Sequence, residues 1–227
     1  VTAGRARVAV LISGRGSNMA ALLAAAAEPG YPAEIALVLA NRADAAGLAH
    51  AAAQGVPTAV VESRAFRGDR AGFEAAMEAE ITRAGATIIA LAGFMRVLTE
   101  SFVTRWEGRM INIHPSLLPA FPGLDTHARA LAAGVRLHGC TVHLVSAGVD
   151  EGPILAQAAV PVLPDDTEAS LAARVLAEEH RLYPAALAWL AAGRVTLVGG
   201  VARVDGADEA AGSLVNPLPS APRLSKA

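Results

Sequence analysis

The stretch Val8-Ala9-Val10-Leu11-Ile12-Ser13-Gly14-Arg15-Gly16-Ser17-Asn18 decides the fold. Its first five residues are all apolar and rich in β-branched side chains, and Ser13-Gly14 closes the run. A strand with no polar side is one buried on both faces, as inside a parallel sheet. Asn18 to Ala27 is a strong helix former stopped by Pro29-Gly30, and Ile35 to Leu39 reads as a second buried strand. Strand, helix, strand is one βαβ unit.

The alternation continues outward from that unit. A helix is expected over Ala45 to Gln54, a strand over Thr58 to Val61, a helix over Arg70 to Arg83 and a strand over Thr87 to Leu91. After Gly93 come a short helix near Thr99 to Trp106, a strand at Met110 to Ile113, a proline-rich loop from Pro115 to Pro122 and a helix from Thr126 to Ala133. Strands at Thr141 to Val145 and Pro153 to Val160, joined around Val149, read as an antiparallel hairpin at the sheet edge, and a long helix runs from Thr167 to about Ala192. The expected class is α/β: a Rossmann-like open sheet, mostly parallel with an antiparallel edge, with helices on both faces. Ligands in such sheets bind beyond the carboxyl ends of the strands, where strand order reverses. The expected division is a main domain over residues 1–193 and an appendage over 194–227. In the latter, Val195 to Val198 and Val201 to Val204 flank Gly199-Gly200 as a β-hairpin, followed by a mobile tail rich in Ala, Gly, Pro and Ser.

Composition narrows the functional classes. The chain has 227 residues, 53% of them hydrophobic, which suffices for a substantial core. A net charge of -2 supplies no global field for nucleic acid or an anionic membrane, so any anionic ligand must be held by a local site. The single cysteine, Cys140, excludes an intrachain disulfide and reads as a small buried apolar residue. The apolar run behind Arg5 and Arg7 is too short for a signal peptide, and no stretch reaches the roughly 20 apolar residues of a membrane span. A cytoplasmic protein is expected, with neither nucleic acid nor membrane as partner.

Three segments carry chemistry. Ser13 to Asn18 lies where a buried strand turns into a helix, so backbone N–H groups and the positive helix end face outward together as a phosphate cradle. The alternative is a plain glycine turn in which Asn18 caps the helix. The segment is not a dinucleotide fingerprint, since Met19 replaces the third glycine, nor a P-loop, since no Gly-Lys-Ser/Thr follows. In Asn112-Ile113-His114-Pro115-Ser116-Leu117-Leu118-Pro119, strand alternation puts Asn112 and His114 on one face at the carboxyl edge. An amide donor and an imidazole therefore converge there, either as catalytic groups or as a hydrogen-bonded structural pair. In Ser146-Ala147-Gly148-Val149-Asp150-Glu151-Gly152-Pro153, Asp150 is either a turn former or, if it meets His114, a carboxylate that favours the imidazolium. Ser116 has no nucleophile-elbow context, and no paired metal-ligand spacing occurs.

Taken together, Gly14-Arg15-Gly16-Ser17-Asn18, Ala92-Gly93-Phe94-Met95-Arg96, Asn112 to Pro119, Phe121-Pro122-Gly123 and Glu178-Glu179-His180 with Tyr183-Pro184 resemble the phosphoribosylglycinamide formyltransferase family from about Val8 to Gly193. The resemblance implies direct transfer of the formyl group of 10-formyltetrahydrofolate, bound as co-substrate without a metal, to the amine of 5-phosphoribosylglycinamide in purine (IMP) biosynthesis. It implies that Asn112, His114 and Asp150 are catalytic. It assigns Gly16, Ser17, Asn18, Gly93 and Glu179 to the acceptor substrate. To the folate pocket it assigns Met95, Arg96, Val97 and Leu98, Asn112, and Ser146, Ala147, Gly148, Val149 and Asp150, with Arg70 near the ligands. Because Phe66-Arg67-Gly68-Asp69-Arg70 is one residue longer than the family spacing, Arg67 is the alternative to Arg70. Asp125 departs from the histidine found in several relatives and is a candidate helix N-cap. His127, His138 and His143 read as structural or supporting, with His143 nearest the site. Related formyl-folate hydrolases and methionyl-tRNA formyltransferases are expected to carry a further domain that this length does not accommodate. The expected assembly is a monomer or homodimer.

Overall fold

The computed structural model describes residues 4–207 and 211–217. Its centre is a seven-stranded sheet built from β1 (Ala6–Ile12), β2 (Ala33–Ala40), β3 (Thr58–Val60), β4 (Ile88–Leu91), β5 (Met110–His114), β6 (Leu137–Leu144) and β7 (Ile154–Pro161), in the order β3-β2-β1-β4-β5-β6-β7. The first five are parallel; β6 runs antiparallel to β5, and β7 antiparallel to β6. The helices are α1 (Ser17–Ala27), α2 (Ala46–Ala53), α3 (Arg70–Arg83), α4 (Glu100–Arg105), α5 (Thr126–Ala132) and α6 (Glu168–Ala191). An α/β open sheet of this order has its switch point between β1 and β4, where the connections turn to opposite sides.

The unbroken apolar run of β1 has a direct structural reason. Val8, Val10 and Ile12 enter one core with Met19, Leu22 and Leu23 of α1 and Leu171, Val175 and Leu187 of α6. Ala9 and Leu11 enter a second core with Phe73, Met77 and Ile81 of α3 and Phe102 of α4. All five β1 residues are inaccessible to solvent. Each large aliphatic side chain so buried contributes roughly 1.5–3 kcal/mol, so a polar residue on either side of β1 is strongly disfavoured.

β6 starts four residues before the expected Thr141. Within the added residues a Cβ on Gly139 would lie 1.9 Å from the Ala158 carbonyl oxygen of β7. Its missing side chain is what lets the two strands approach. Beyond α6, β8 (Val195–Val198) and β9 (Val201–Val204) form a separate two-stranded sheet. Of the tail expected beyond it, residues 208–210 and 218–227 lie outside the described residues. No helix among the described residues is long and apolar enough to cross a membrane.

Candidate active site

Two constellations flank the switch point. In the first, the turn after β1 leads into α1 through Gly16, whose φ of 74° is a left-handed conformation suited to glycine. No side chain caps α1, and Ser17 is exposed, so the helix N-terminus is open. Asn18 is not the cap: its Nδ2 donates to Glu179 Oε2 of α6 at 2.7 Å, and its own Oδ1 is buried without a partner. Glu179 is 6% exposed rather than a solvated helical charge. Burial raises its carboxyl pKa, and the bond from Asn18 offsets part of that rise.

The loop is braced from outside. Gly47, in the first turn of α2, donates to the Gly14 carbonyl at 3.1 Å, and its Cα would lie 3.2 Å from a Cβ on Gly16. A Cβ on Gly47 itself would stand 2.6 Å from Ile12 Cδ1 and 3.3 Å from the Gly14 and Arg15 carbonyl oxygens. Buried Ser13 then ties this loop to the next strand end: its N–H donates to the Gly93 carbonyl at 3.1 Å, and its Oγ accepts from the Met95 N–H at 2.8 Å.

The second constellation surrounds a cavity of about 560 Å³ at the ends of β4, β5 and β6, within the range of small-molecule sites. Gly93, Met95, Arg96, Val97 and Leu98 form one side, Asn112 and His114 the floor, and Ser146, Ala147, Gly148, Val149 and Asp150 the facing side. Met95, Val97, Leu124 and Val149 are exposed there, an apolar rim around a polar floor. Asp125 and Asp150, two of the three non-glycine residues with left-handed φ among the described residues, line the cavity, and Phe121, the third, backs it. Backbone strain of this kind concentrates at functional sites.

Hydrogen bonds on the floor fix which atoms carry protons. Asn112 and His143 are cross-strand partners. His143 Nδ1 lies 2.9 Å from the Leu144 carbonyl, which only accepts, so Nδ1 carries the hydrogen. Burial lowers the His143 pKa and keeps the ring neutral, leaving Nε2 as an acceptor for Asn112 Nδ2 at 3.3 Å. The Asn112 amide is thereby oriented with its second N–H free. His114 Nε2 donates to the Phe121 carbonyl at 3.0 Å. Its Nδ1 lies 3.4 Å from Asp150 Oδ2, an ion-pair distance, and Oδ2 also accepts from the Gly123 N–H at 2.8 Å. Asp150 Oδ1 is 3.8 Å from His143 Nε2. An imidazolium at His114 presents an N–H to each of two acceptors.

The family model for formyl transferases matches residues 6–187. The chain is 41% identical over 199 residues to phosphoribosylglycinamide formyltransferase of Escherichia coli (strain K12), covering 88% of this chain and 93% of that protein.

The chain belongs to the formyl transferase family.

Among solved structures, the chain superposes on glycinamide ribonucleotide transformylase 1 from Symbiobacterium toebii with a TM-score of 0.85 at 46% identity, covering 88% of this chain and 94% of that one. It superposes on phosphoribosylglycinamide formyltransferase from Brucella melitensis with a TM-score of 0.79 at 56% identity, covering 86% and 100%. It is also 47% identical over 193 residues to the human trifunctional purine biosynthetic protein adenosine-3, of whose length it spans 19%.

The tertiary structure places the candidate site residues in three locations. Those of the folate assignment, apart from Arg70, share the large cavity with the catalytic assignment and Gly93. Gly16, Ser17, Asn18 and Glu179 group at the α1 N-terminus outside it. Arg70 lines a smaller cavity of about 190 Å³ together with Arg67, and Arg96 and Val97 belong to both cavities. The two arginines thus face the same space. Asp125 occupies the N-cap position of α5 but makes no capping bond, its φ of 55° turning the side chain away from that role. His127 lines the large cavity and meets the buried His138 at 3.2 Å. Ser13 belongs to the cradle segment and Phe121-Pro122-Gly123 to the motifs of the resemblance, but the tie from Ser13 to Met95, the brace from Gly47 and the bonds made by the Phe121 carbonyl and the Gly123 N–H carry no local signal. Among the described residues no cluster of His, Cys, Asp and Glu suits a metal ion.

Proposed function

We propose that the chain transfers the formyl group of 10-formyltetrahydrofolate directly to the amine of 5-phosphoribosylglycinamide, yielding formylglycinamide ribonucleotide and tetrahydrofolate in cytoplasmic purine synthesis. The observation that carries this reading is the oriented Asn112 amide beside the His114–Asp150 pair on the floor of one cavity. The neutral amine attacks the formyl carbon, and the tetrahedral species gathers negative charge on its oxygen. Stabilising that oxygen is the main task of the protein. The free N–H of Asn112 is a donor of the required kind, and an imidazolium at His114, its N–H groups facing Phe121 and Asp150, would add positive charge beside it. The His114 Nδ1–H facing Asp150 is the proton passed to the departing folate nitrogen, and the proton lost by the attacking amine returns to the His114–Asp150 pair, which leaves the protein unchanged.

Both substrates bind together, so proximity supplies much of the acceleration and no enzyme nucleophile is needed. The flat donor suits the apolar rim formed by Met95, Val97 and Val149. The phosphate of the acceptor suits the open N-terminus of α1, and the buried Asn18–Glu179 pair suits its polar body. Tetrahydrofolate release followed spectroscopically, with and without the phosphorylated amine, tests the proposal. Acceptor-dependent release is expected, and release in the absence of acceptor would identify a hydrolase instead. His114→Ala should lower turnover by about two orders of magnitude or more.

A further inference from the structure

Thr141 lies on β6 directly opposite His114 on β5 and is inaccessible to solvent. Its hydroxyl donates to the Ser116 carbonyl at 2.7 Å and accepts from the Leu118 N–H at 3.0 Å and from Gln157 Nε2 at 2.9 Å. A hydroxyl offers one hydrogen and two lone pairs, so every valence is used and the group is fixed in direction. Gln157, an exposed residue of edge strand β7, also donates from Nε2 to the Leu118 carbonyl at 2.9 Å, and Ser116 Oγ donates to the Ala120 carbonyl at 2.6 Å.

These bonds fasten the loop 115–123 to the sheet near its start. Near its end the same loop turns two backbone groups toward the site: the Phe121 carbonyl takes the His114 Nε2–H, and the Gly123 N–H is given to Asp150. Phe121 stands at φ 54°, a conformation that a bulky L-residue holds only when its surroundings impose it. The anchor and the two grips are therefore parts of one device. Neither the identity of Thr141 nor that of Gln157 enters the chemistry proposed above.

We propose that Thr141 is a positioning residue for formyl transfer, its hydroxyl setting, through the loop 115–123, the orientation of His114 against Asp150. This rests on the function proposed above. Its test combines kinetics with a signal that needs no turnover, the 1H–15N resonance of the His114 imidazole. Thr141→Val should lower kcat about tenfold with both KM values within about twofold, as expected for a lost buried hydrogen-bond hub. It should also shift the His114 Nε2–H resonance and speed its exchange with solvent. Thr141→Ser, which restores the hydroxyl, should return both readouts to parental values. A His114 resonance unchanged in Thr141→Val, or a loss that Thr141→Ser does not recover, overturns the proposal. Should Thr141→Val fail to fold, the exposed Gln157→Met carries the same readouts: about a threefold fall in kcat with a shifted His114 signal is expected, and no change in either refutes it. If the parent protein shows no acceptor-dependent transfer, the function itself is wrong, a result separate from any change in the imidazole signal.

Discussion

The tautomer chain from the Leu144 carbonyl through His143 to Asn112 makes a quantitative prediction about the two side chains. Asn112 Nδ2 spends one N–H on His143 Nε2 at 3.3 Å, leaving one for the developing oxyanion. Removing that donor with Asn112→Ala should cost about 2.7–4 kcal/mol of transition-state stabilisation, a fall of about 10²–10³ in kcat. His143→Leu leaves the donor in place but frees the amide to rotate, so it should cost about 1 kcal/mol, the net worth of one hydrogen bond, or about fivefold in kcat.

The decisive measurement is the double variant. If His143 acts only by orienting Asn112, then Asn112→Ala/His143→Leu should be as slow as Asn112→Ala alone, and the coupling energy should equal the whole His143 effect. Steady-state turnover of the four proteins gives this number. Additive effects would refute the reasoning and place the action of His143 on Asp150, whose Oδ1 lies 3.8 Å from it.

Other consequences follow from the same geometry. Asp150→Asn keeps an acceptor for the Gly123 N–H and tolerates the left-handed φ of 58°, but removes a charge 3.4 Å from His114 Nδ1. That attraction is about 1 kcal/mol in water and about 5 at an effective dielectric of about 20, so kcat should fall by about 10-fold to several thousandfold, and unchanged turnover would reduce Asp150 to a turn residue. Gly47→Ala forces a Cβ to 2.6 Å from Ile12 Cδ1 beside the α1 loop. The KM for the phosphorylated acceptor should rise about tenfold while that for the folate stays within about twofold, and equal changes in both would show a general loss of structure instead. His138 is buried and its pKa is pushed down to about 4, chiefly by burial and then by His127. The unfolded chain therefore takes up the proton first, and stability present above about pH 6.5 drains away as pH falls toward 4, by about 3 kcal/mol in all. Urea denaturation of the parent and His138→Leu at several pH values checks this: the variant should have the shallower acid slope, and parallel slopes would exclude His138 as the source.

Much of the molecule was legible in one dimension because its determinants are local. The buried strand Val8–Ile12 is apolar on both sides because helices cover both faces of the sheet, and the same pattern marked β2 and β4. The strand period alone placed Asn112 and His114 on one face, since Ile111 and Ile113 pack into the opposite core. Where the reading fell short, the cause lay in a neighbour distant along the chain. The expected strand at Thr141 to Val145 extends back to Leu137, because β7 packs so closely on Gly139 that only a residue without a Cβ fits there. Helix capping is the local alternative for Asn18, but its partner is Glu179, 161 residues away.

The sequence by itself determined the strand–helix alternation, the sheet class and the pair on β5, because periodicity and turn chemistry are written in adjacent residues. Tertiary structure decided the third member. Asp150 reaches His114 only because β6 returns antiparallel to β5 and the turn after it folds back over the strand end. It also decided the orientation of Asn112 and the loop that grips both catalytic groups, since a hydrogen bond between strands depends on register, and register is a property of the packed sheet.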